Sequence, residues 1–312
     1  MKFREALRHM SKGITITKNY KLRKDLSIEH NGYTLYRIEC IRAFDDIEVG
    51  TLGGYVESYN NLKNNAWAYD DAKIYGKAVV CHHAKVFDNA QIYGSAMVYD
   101  NAQIYGNATI SGNARVYGCA TVCDNAIIFE NAAIFESANV FEGSSIYGCA
   151  KIYGKAVVCR NATIFGNAQV CDNAQVCDDA RVYDNARVYD NANIFANAVV
   201  FGNAIVHGDA CVSSNARVCG DELKKESDIC YISNRHYDIT ITPLYIRIGC
   251  QYHSQKTWWN FNDKQIEKMD GKNALDFWKI WKEPLKQICK AMKTENNTDK
   301  KEPIIGSYTS RK

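Results

Sequence analysis

The side chains of this sequence that could act in acid–base chemistry are few. Histidine is the usual general base near neutral pH, and the chain holds seven. His82 and His83 are adjacent, whereas His207 lies far along the chain. His83 and His207 are the two fallback candidates for a catalytic residue, but both are better explained as outward side chains of a regular repeat. We therefore expect no catalytic residue.

Motifs that would hold a metal or a cofactor are not apparent. The 13 Cys residues form no Cys-x-x-Cys pair, which disfavours a zinc site and a secreted disulfide framework. Corners such as Tyr105-Gly106-Asn107 lack the Gly-x-Gly-x-x-Gly or Walker arrangement that cradles phosphate groups. His82 and Asp100 are 18 residues apart, and one histidine with one carboxylate makes a poor metal site. The sequence predicts no metal and no cofactor.

A six-residue repeat sets the elements that position these side chains. From Val56 to Val218 an aliphatic or small residue recurs at every sixth position without a slip in register. Two residues before it stands a small residue, usually Ala. This period is incompatible with an α-helix, whose apolar positions recur at three and four residues. Short strands remain, with the aliphatic side chain inward, its neighbours outward, and Gly-Asn or Asp-Asn at the corners.

The repeat resembles the hexapeptide-repeat superfamily, as in Ile104-Tyr-Gly-Asn-Ala-Thr-Ile110. The resemblance implies an all-β solenoid, a left-handed parallel β-helix in which three rungs make one triangular coil. The rungs from Val56 to Val218 then give about nine coils. The flanking segments 33–44 and 50–56 are similar to an uncharacterised bacterial and phage branch that is commonly labelled as transferases. Such a label is not evidence of activity.

The periodicity divides the chain into four segments. They are an N-terminal cap at residues 1–49, the solenoid at 50–220, an α+β C-terminal cap at 221–292 and a disordered tail at 293–312. In the C-terminal cap, residues 239–248 and 256–261 are predicted to form two strands. A helix with Asn273 as its N-cap is predicted to follow and to cover the open end of the solenoid.

The outward position after each core aliphatic residue is unusually aromatic. From Tyr69 to Cys219, 17 of its 26 occurrences are Tyr or Phe, and we expect these rings to stack from coil to coil. On one face the rings accompany uncharged neighbours in the middle coils. This face is the candidate interface of a homo-trimer, with the residues Ile127, Phe129, Tyr147, Thr163 and Phe165.

Charge and hydropathy exclude several classes of function. Residues 50–220 hold 11 Lys and Arg against 15 Asp and Glu, so the repeat lacks the positive stripe that a nucleic acid requires. No apolar run reaches the length of a membrane span, and no signal peptide is apparent. We expect a cytoplasmic protein that binds neither nucleic acid nor membrane.

The sequence favours a non-catalytic β-solenoid scaffold or binding protein over an enzyme. Such a protein would self-associate and present its faces or caps to a partner, a protein or a small molecule, whose identity the sequence does not specify. Two alternatives remain open. One is an acyltransferase-like hexapeptide enzyme with a site between subunits, and the other is a protein that sequesters a small ligand.

Overall fold

The computed structural model describes residues 18–298, which divide into a first unit ending at Ser137 and a second unit beginning at Ala138. Most of the chain in both units consists of two-residue strands separated by corners. These strands form a parallel β-solenoid of about nine turns, with N-terminal strands and a small helical C-terminal part. The predicted fold class is therefore confirmed, while its left-handedness stays a prediction.

The first unit contains fifteen strands among its described residues. They are β1 (Tyr20–His30), β2 (Tyr33–Cys40), β3 (Leu52–Val56), β4 (Trp67–Ala68), β5 (Lys73–Ile74), β6 (Val79–Val80), β7 (Lys85–Val86), β8 (Gln91–Ile92), β9 (Met97–Val98), β10 (Gln103–Ile104), β11 (Thr109–Ile110), β12 (Arg115–Val116), β13 (Thr121–Val122), β14 (Ile127–Ile128) and β15 (Ala133–Ile134).

A hairpin begins the first unit and leads into the solenoid. Asn31 and Gly32 both have positive φ, 51° and 79°, which suits the tight turn between the antiparallel strands β1 and β2. Strand β2 pairs antiparallel with β3, and β3 pairs in parallel with β5, so β3 is both cap and first rung. A Cβ atom on Gly53 would lie 2.5 Å from the carbonyl oxygen of Ala68, which explains the glycine there.

Each rung pairs with the rung 18 residues away. In β10, Gln103 and Ile104 lie opposite Thr121 and Val122 of β13. The Gln103 N–H donates to the carbonyl oxygen of Ala120 at 3.0 Å, and the pattern recurs along the unit. Inward Ile and Val side chains and the small residues at the bends are almost fully buried, so aliphatic burial and backbone pairing select the same register.

The corners are built on left-handed backbone. The residue two positions after each core aliphatic has positive φ, and it is usually Gly or Asp, as in Gly106 at 68° and Asp88 at 55°. The Asp88 carboxylate accepts the N–H of Gly106 one coil on at 2.8 Å. Predicted corner amides also stack, since Asn107 donates to Asn125 at 3.3 Å. The left-handed residue is thus mostly the one before the corner Asn.

The second unit continues the two-residue strands and ends in a mixed cap. Its strands are β16 (Asn139–Val140), β17 (Ser145–Ile146), β18 (Lys151–Ile152), β19 (Val157–Val158), β20 (Thr163–Ile164), β21 (Gln169–Val170), β22 (Gln175–Val176), β23 (Arg181–Val182), β24 (Arg187–Val188), β25 (Asn193–Ile194), β26 (Val199–Phe201), β27 (Ile205–Val206), β28 (Cys211–Val212), β29 (Arg217–Cys219), β30 (Glu222–Leu223), β31 (Cys230–Ile232), β32 (Ile239–Ile241), β33 (Tyr245–Ile248) and β34 (Gln251–Ser254). Its helices are a 3₁₀ helix (Glu226–Asp228), α1 (Gln255–Asn260) and α2 (Asp263–Thr298).

The C-terminal cap differs from the predicted one in two places. Residues 256–261, predicted as a strand, lie mostly in α1, because Ser254 caps the helix by accepting the N–H of Thr257 at 3.1 Å. Helix α2 begins ten residues before the predicted N-cap Asn273 and is interrupted at Asp270 and Gly271. Most of the predicted disordered tail, from residue 299 onward, lies outside the described residues.

Polar contacts join the cap to the last coil of the second unit. The buried Asp221 carboxylate accepts hydrogen bonds from the Thr242 hydroxyl and from the N–H of Leu244. The hydroxyl of Tyr252 donates to the carbonyl oxygen of Cys219. Burial raises the pKa of Asp221, so these donors offset part of the cost of its buried charge. The cap thus satisfies polar groups at this end of the solenoid.

The inward orientation of the core can be tested on β14. Ile128 is fully buried, so Ile128→Asp should lower the free energy of unfolding by about 4 kcal/mol through an uncompensated buried charge. Ile127 on the same strand is 43% exposed, so Ile127→Asp should change it by less than about 1 kcal/mol. Urea denaturation of dilute protein, followed by circular dichroism, measures both. Equal effects would contradict the assigned orientation.

Candidate functional site

A corner groove of about 640 Å³ in the first unit contains the first two solenoid histidines. Its lining residues come from three successive coils and are polar or small: Asn64, Asn65, His82, His83, Asp100, Asn101, Gly118 and Cys119. These residues recur 18 apart in two columns, which the coil register places one above another. The groove is therefore the place in the first unit where the repeat gathers polar side chains that could do chemistry.

His82 belongs to a column of corner residues. It has a φ of 60°, the left-handed conformation that most coils reserve for Gly or Asp. Its Nδ1 lies 3.2 Å from the Oδ1 atom of Asp100, as the spacing of 18 residues predicts. The other carboxylate oxygen of Asp100 accepts the N–H of Gly118 at 3.3 Å. This pair thus forms part of the corner hydrogen-bond network, which favours a structural role.

His83 is held differently, by a residue from the N-terminal cap. Its Nδ1 lies 3.1 Å from the Oδ2 atom of Asp45, whose Oδ1 accepts a hydrogen bond from Asn65. The side chain is 56% exposed, and its Nε2 has no partner among residues 18–298. A carboxylate on one ring nitrogen fixes the tautomer and leaves the other nitrogen able to accept a proton. His83 therefore has the geometry of a general base.

The other fallback candidate, His207, is engaged on both ring nitrogens. Its Nε2 lies 3.1 Å from Glu222 and its Nδ1 lies 3.5 Å from Asp190. The ring also stacks on Tyr189, with centroids 4.9 Å apart. Only 14% of the side chain is exposed. His207 thus acts as a surface clamp between coils of the second unit, and of the two candidates only His83 presents an open nitrogen.

A notch of about 470 Å³ interrupts one aromatic column of the second unit. Phe141 and Phe195 occupy the outward position on β16 and β25, and Cys159 and Cys177 occupy it on the two strands between. The two smaller side chains leave the space. Their Sγ atoms are 2.7 Å apart, as expected for residues in adjacent coils of one column. Both cysteines are free thiols.

The surroundings of the notch suppress thiol reactivity. Burial raises the pKa of the Cys159 thiol to about 12, and its hydrogen bond with Cys177 adds to the effect. The thiolate is the reactive species, so Cys159 is almost entirely unreactive at neutral pH. At the rim, Arg160 pairs with Asp178 at 3.0 Å and approaches Glu142 to 3.8 Å. The notch is thus a neutral pocket with paired charges at its edge.

The aromatic columns stack as predicted in both units. In the first unit, the ring centroids of Tyr99 and Tyr117 are 4.8 Å apart, and the next ring, Phe135, follows at 5.0 Å. In the second unit, Tyr147, Phe165, Tyr183 and Phe201 form a ladder with spacings of 5.0, 4.7 and 5.4 Å. The rings are half-buried against one another, so they stabilise each column as well as presenting an aromatic edge to solvent.

The candidate interface residues lie at outward positions within their units. In the first unit, Ile127 is 43% exposed, and Phe129 is half-buried. In the second unit, Tyr147 and Phe165 are neighbours in the ring ladder, and Thr163 is a half-buried strand residue. Sequence reasoning did not identify Asp45 as the partner of His83. No periodic signal could have found it, because Asp45 lies before the repeat.

Two further findings concern the described part of the chain. Among residues 18–298, no three His, Cys, Asp or Glu side chains come together in a way that could hold a metal ion. No helix within these residues has the length and apolar character needed to cross a membrane. The polar groups of the corner groove are therefore considered below for proton transfer and not for metal ligation.

The fold and its register define the chain as a β-solenoid repeat protein. More particularly, three stretches match the family model described as the YdcK beta solenoid repeat: residues 102–118, 174–190 and 180–194. The first stretch lies in the first unit and the others lie in the second. A search of the curated proteins finds no match. The comparison thus supports the repeat architecture and assigns no activity.

The assignment of Cys159 as an unreactive thiol predicts a pattern of alkylation. At neutral pH, iodoacetamide should modify the exposed Cys149 at least tenfold faster than Cys159, because Cys159 is buried and its pKa is about 12. Peptide mass spectrometry after timed quenching measures both rates in one sample. Equal rates in folded protein would show that the Cys159 thiol is not shielded as described.

Proposed function

We propose that this chain is a non-catalytic β-solenoid scaffold that self-associates as a homo-trimer through its aromatic face. The proposal retains the hexapeptide-repeat resemblance, whose members form trimers about an axis along the solenoid. The single observation that carries it is the ring ladder of the second unit, four stacked side chains beginning at Tyr147. The proposed partner is another copy of the same chain, in the cytoplasm.

The neighbours of this ladder favour association. On the strands that precede Tyr147 and Phe165, the outward residues are Ser145 and Thr163, which are uncharged and lie opposite each other. Water can leave such a strip at low cost, because no ionic group loses its hydration. In the first unit, the exposed Ile127 offers a similar apolar contact. An uncharged core of this kind is typical of interfaces between identical subunits.

Charged residues lie beside the ladder toward its end. Arg181 is an exposed strand residue, and Arg217 lies over the Phe201 ring with its guanidinium carbon 5.4 Å from the ring centroid. Interfaces generally have such an arrangement, an apolar centre with a polar rim. The proposed contact would thus place Tyr147 and Phe165 near the centre and Arg217 near the rim.

Lysine substitutions test the proposed interface. Changing Phe129, Tyr147 and Phe165 together to Lys should give a folded monomer, because three ammonium groups would have to be desolvated in each contact. Size-exclusion chromatography with light scattering, at micromolar concentration, measures the mass. Circular dichroism checks that the β-signal is kept. We expect the unmodified chain to elute as a trimer.

A matched triple variant serves as the control. Tyr99, Tyr117 and Tyr153 are also half-buried outward rings but lie on strands that follow a different sheet, so changing them to Lys should leave the trimer intact. The proposal fails if the unmodified chain is monomeric at this concentration. It also fails if the triple Lys variant at Phe129, Tyr147 and Phe165 remains a trimer.

A second candidate function is acyl transfer at the corner groove. The observation that favours it is the open Nε2 atom of His83, with Asp45 on Nδ1. In this reaction Nε2 would take the proton of an acceptor hydroxyl or amine as its oxygen or nitrogen attacks an acyl thioester. The bond to sulfur then breaks, and the departing thiolate takes the proton back from the imidazolium. A neighbouring chain would supply the cleft for the thioester.

Removal of the imidazole tests this candidate. With acetyl-coenzyme A and a panel of small amines and alcohols, His83→Ala should lower the rate of coenzyme A release at least a hundredfold, the usual effect of losing a general base. His82→Ala, which removes the neighbouring ring, should retain activity within about threefold. Mass spectrometry quantifies the coenzyme A. No turnover by the unmodified protein, or equal loss in both variants, would exclude acyl transfer at His83.

A further inference from the structure

The C-terminal cap of the second unit encloses a cavity of about 180 Å³ between its sheet and helices. Its walls include the fully buried side chains of Trp258, Ile266, Phe277 and Trp278. Most lining side chains are apolar or aromatic, and the polar groups stand at one side. A cavity with this composition is typical of sites for small organic molecules.

One polar atom of this wall has no partner. Trp278 is 97% buried, and its indole Nε1 has no hydrogen-bond acceptor within the described part of the chain. The neighbouring Trp258 differs, because its Nε1 donates to the carbonyl oxygen of Ile246 at 2.7 Å. An unsatisfied buried donor costs about 1–3 kcal/mol, so a group that accepts from Trp278 recovers free energy.

Water is a poor occupant for this position. A buried water molecule normally makes two to four hydrogen bonds, whereas the buried part of the wall offers the Trp278 N–H among apolar side chains. A ligand with an apolar body and one acceptor atom satisfies both features at once. The flat rings of Trp258 and Trp278, with centroids 5.2 Å apart, favour a planar ligand.

The opening of the cavity is polar and lies at an interruption in α2. Tyr237 donates to the Asp270 carboxylate at 2.5 Å, and this hydrogen bond raises the pKa of Tyr237 to about 12. Asp270 and Gly271 have non-helical backbone angles at this point. Cys250 and Asp270 are exposed, whereas the opposite wall is buried, so the cavity has an apolar inner end and a polar mouth.

We propose that this cavity binds a small planar aromatic molecule that carries a hydrogen-bond acceptor, such as a ring nitrogen. The ring lies among the aromatic side chains, and its acceptor takes the N–H of Trp278. An apolar cavity of about 150 Å³ is known to hold benzene, so 180 Å³ suits a ligand of one or two fused rings. This site is independent of the aromatic face and of His83.

A pair of probes of equal shape tests the proposal on the full chain. Quinoline and naphthalene are both two fused rings, but only quinoline has a ring nitrogen. At pH 8, equilibrium dialysis with absorbance detection should show that both bind. Trp278→Phe should weaken quinoline binding about fivefold relative to naphthalene, which is the factor associated with one neutral hydrogen bond.

Two further variants complete the experiment. Trp281→Phe makes the same change beside the cavity, against Phe277, and should leave the ratio of the two dissociation constants unchanged. Ala274→Leu places added carbon atoms in the cavity wall and should abolish binding of both probes. Circular dichroism confirms that each variant is folded.

Each result decides the proposal. A fall in the dissociation-constant ratio that is specific to Trp278→Phe, together with loss of binding in Ala274→Leu, supports it. The proposal is overturned if neither probe binds at millimolar concentration, if Trp278→Phe and Trp281→Phe change the ratio equally, or if Ala274→Leu binds as the unmodified chain does. The oligomeric mass plays no part in this test, so it can fail while the proposed scaffold function stands.

Discussion

Backbone hydrogen bonding between rungs 18 residues apart is the constraint on which the rest of this molecule depends. Each strand has only two or three residues through most of the solenoid, too few to fix its own position. Its N–H and C=O groups are satisfied by the coils before and after it, as when Thr163 donates to the carbonyl oxygen of Ala180. Once one coil is in place, the next has a single register that buries its aliphatic residue and satisfies these groups.

This constraint governs where chemistry can arise. Inside the repeat, two side chains meet closely when they belong to one column, as Cys159 and Cys177 do. Such columns give rows of like or paired groups, and a row is suited to stacking and association more than to catalysis. The less regular arrangements need a residue from outside the period. Asp45 reaches His83 from the N-terminal cap, and Trp278 reaches its cavity from a helix.

The same division explains how far the sequence could predict the structure. The fold, the His82–Asp100 pair and the ring ladders follow from counting in sixes and eighteens, so they could be predicted. The cap segment 256–261 could not, because its Trp and Phe residues suit a strand and only the Ser254 cap decides for a helix. Nor does any local pattern connect Asp45 with His83. The boundaries of the four predicted segments stay a prediction.

The spacing of 18 also determines how a chain of this kind can change in length. Insertion of six residues would preserve the inward aliphatic positions, but it would shift every later outward column by one face, so that Phe165 would leave the row of Tyr147. Insertion of 18 residues would preserve both and would add one strand spacing of about 4.8 Å. The solenoid is therefore tolerant of duplication in its core and selective in its surface. Duplication of a single rung is a route by which such a protein can acquire a new face without acquiring a new fold.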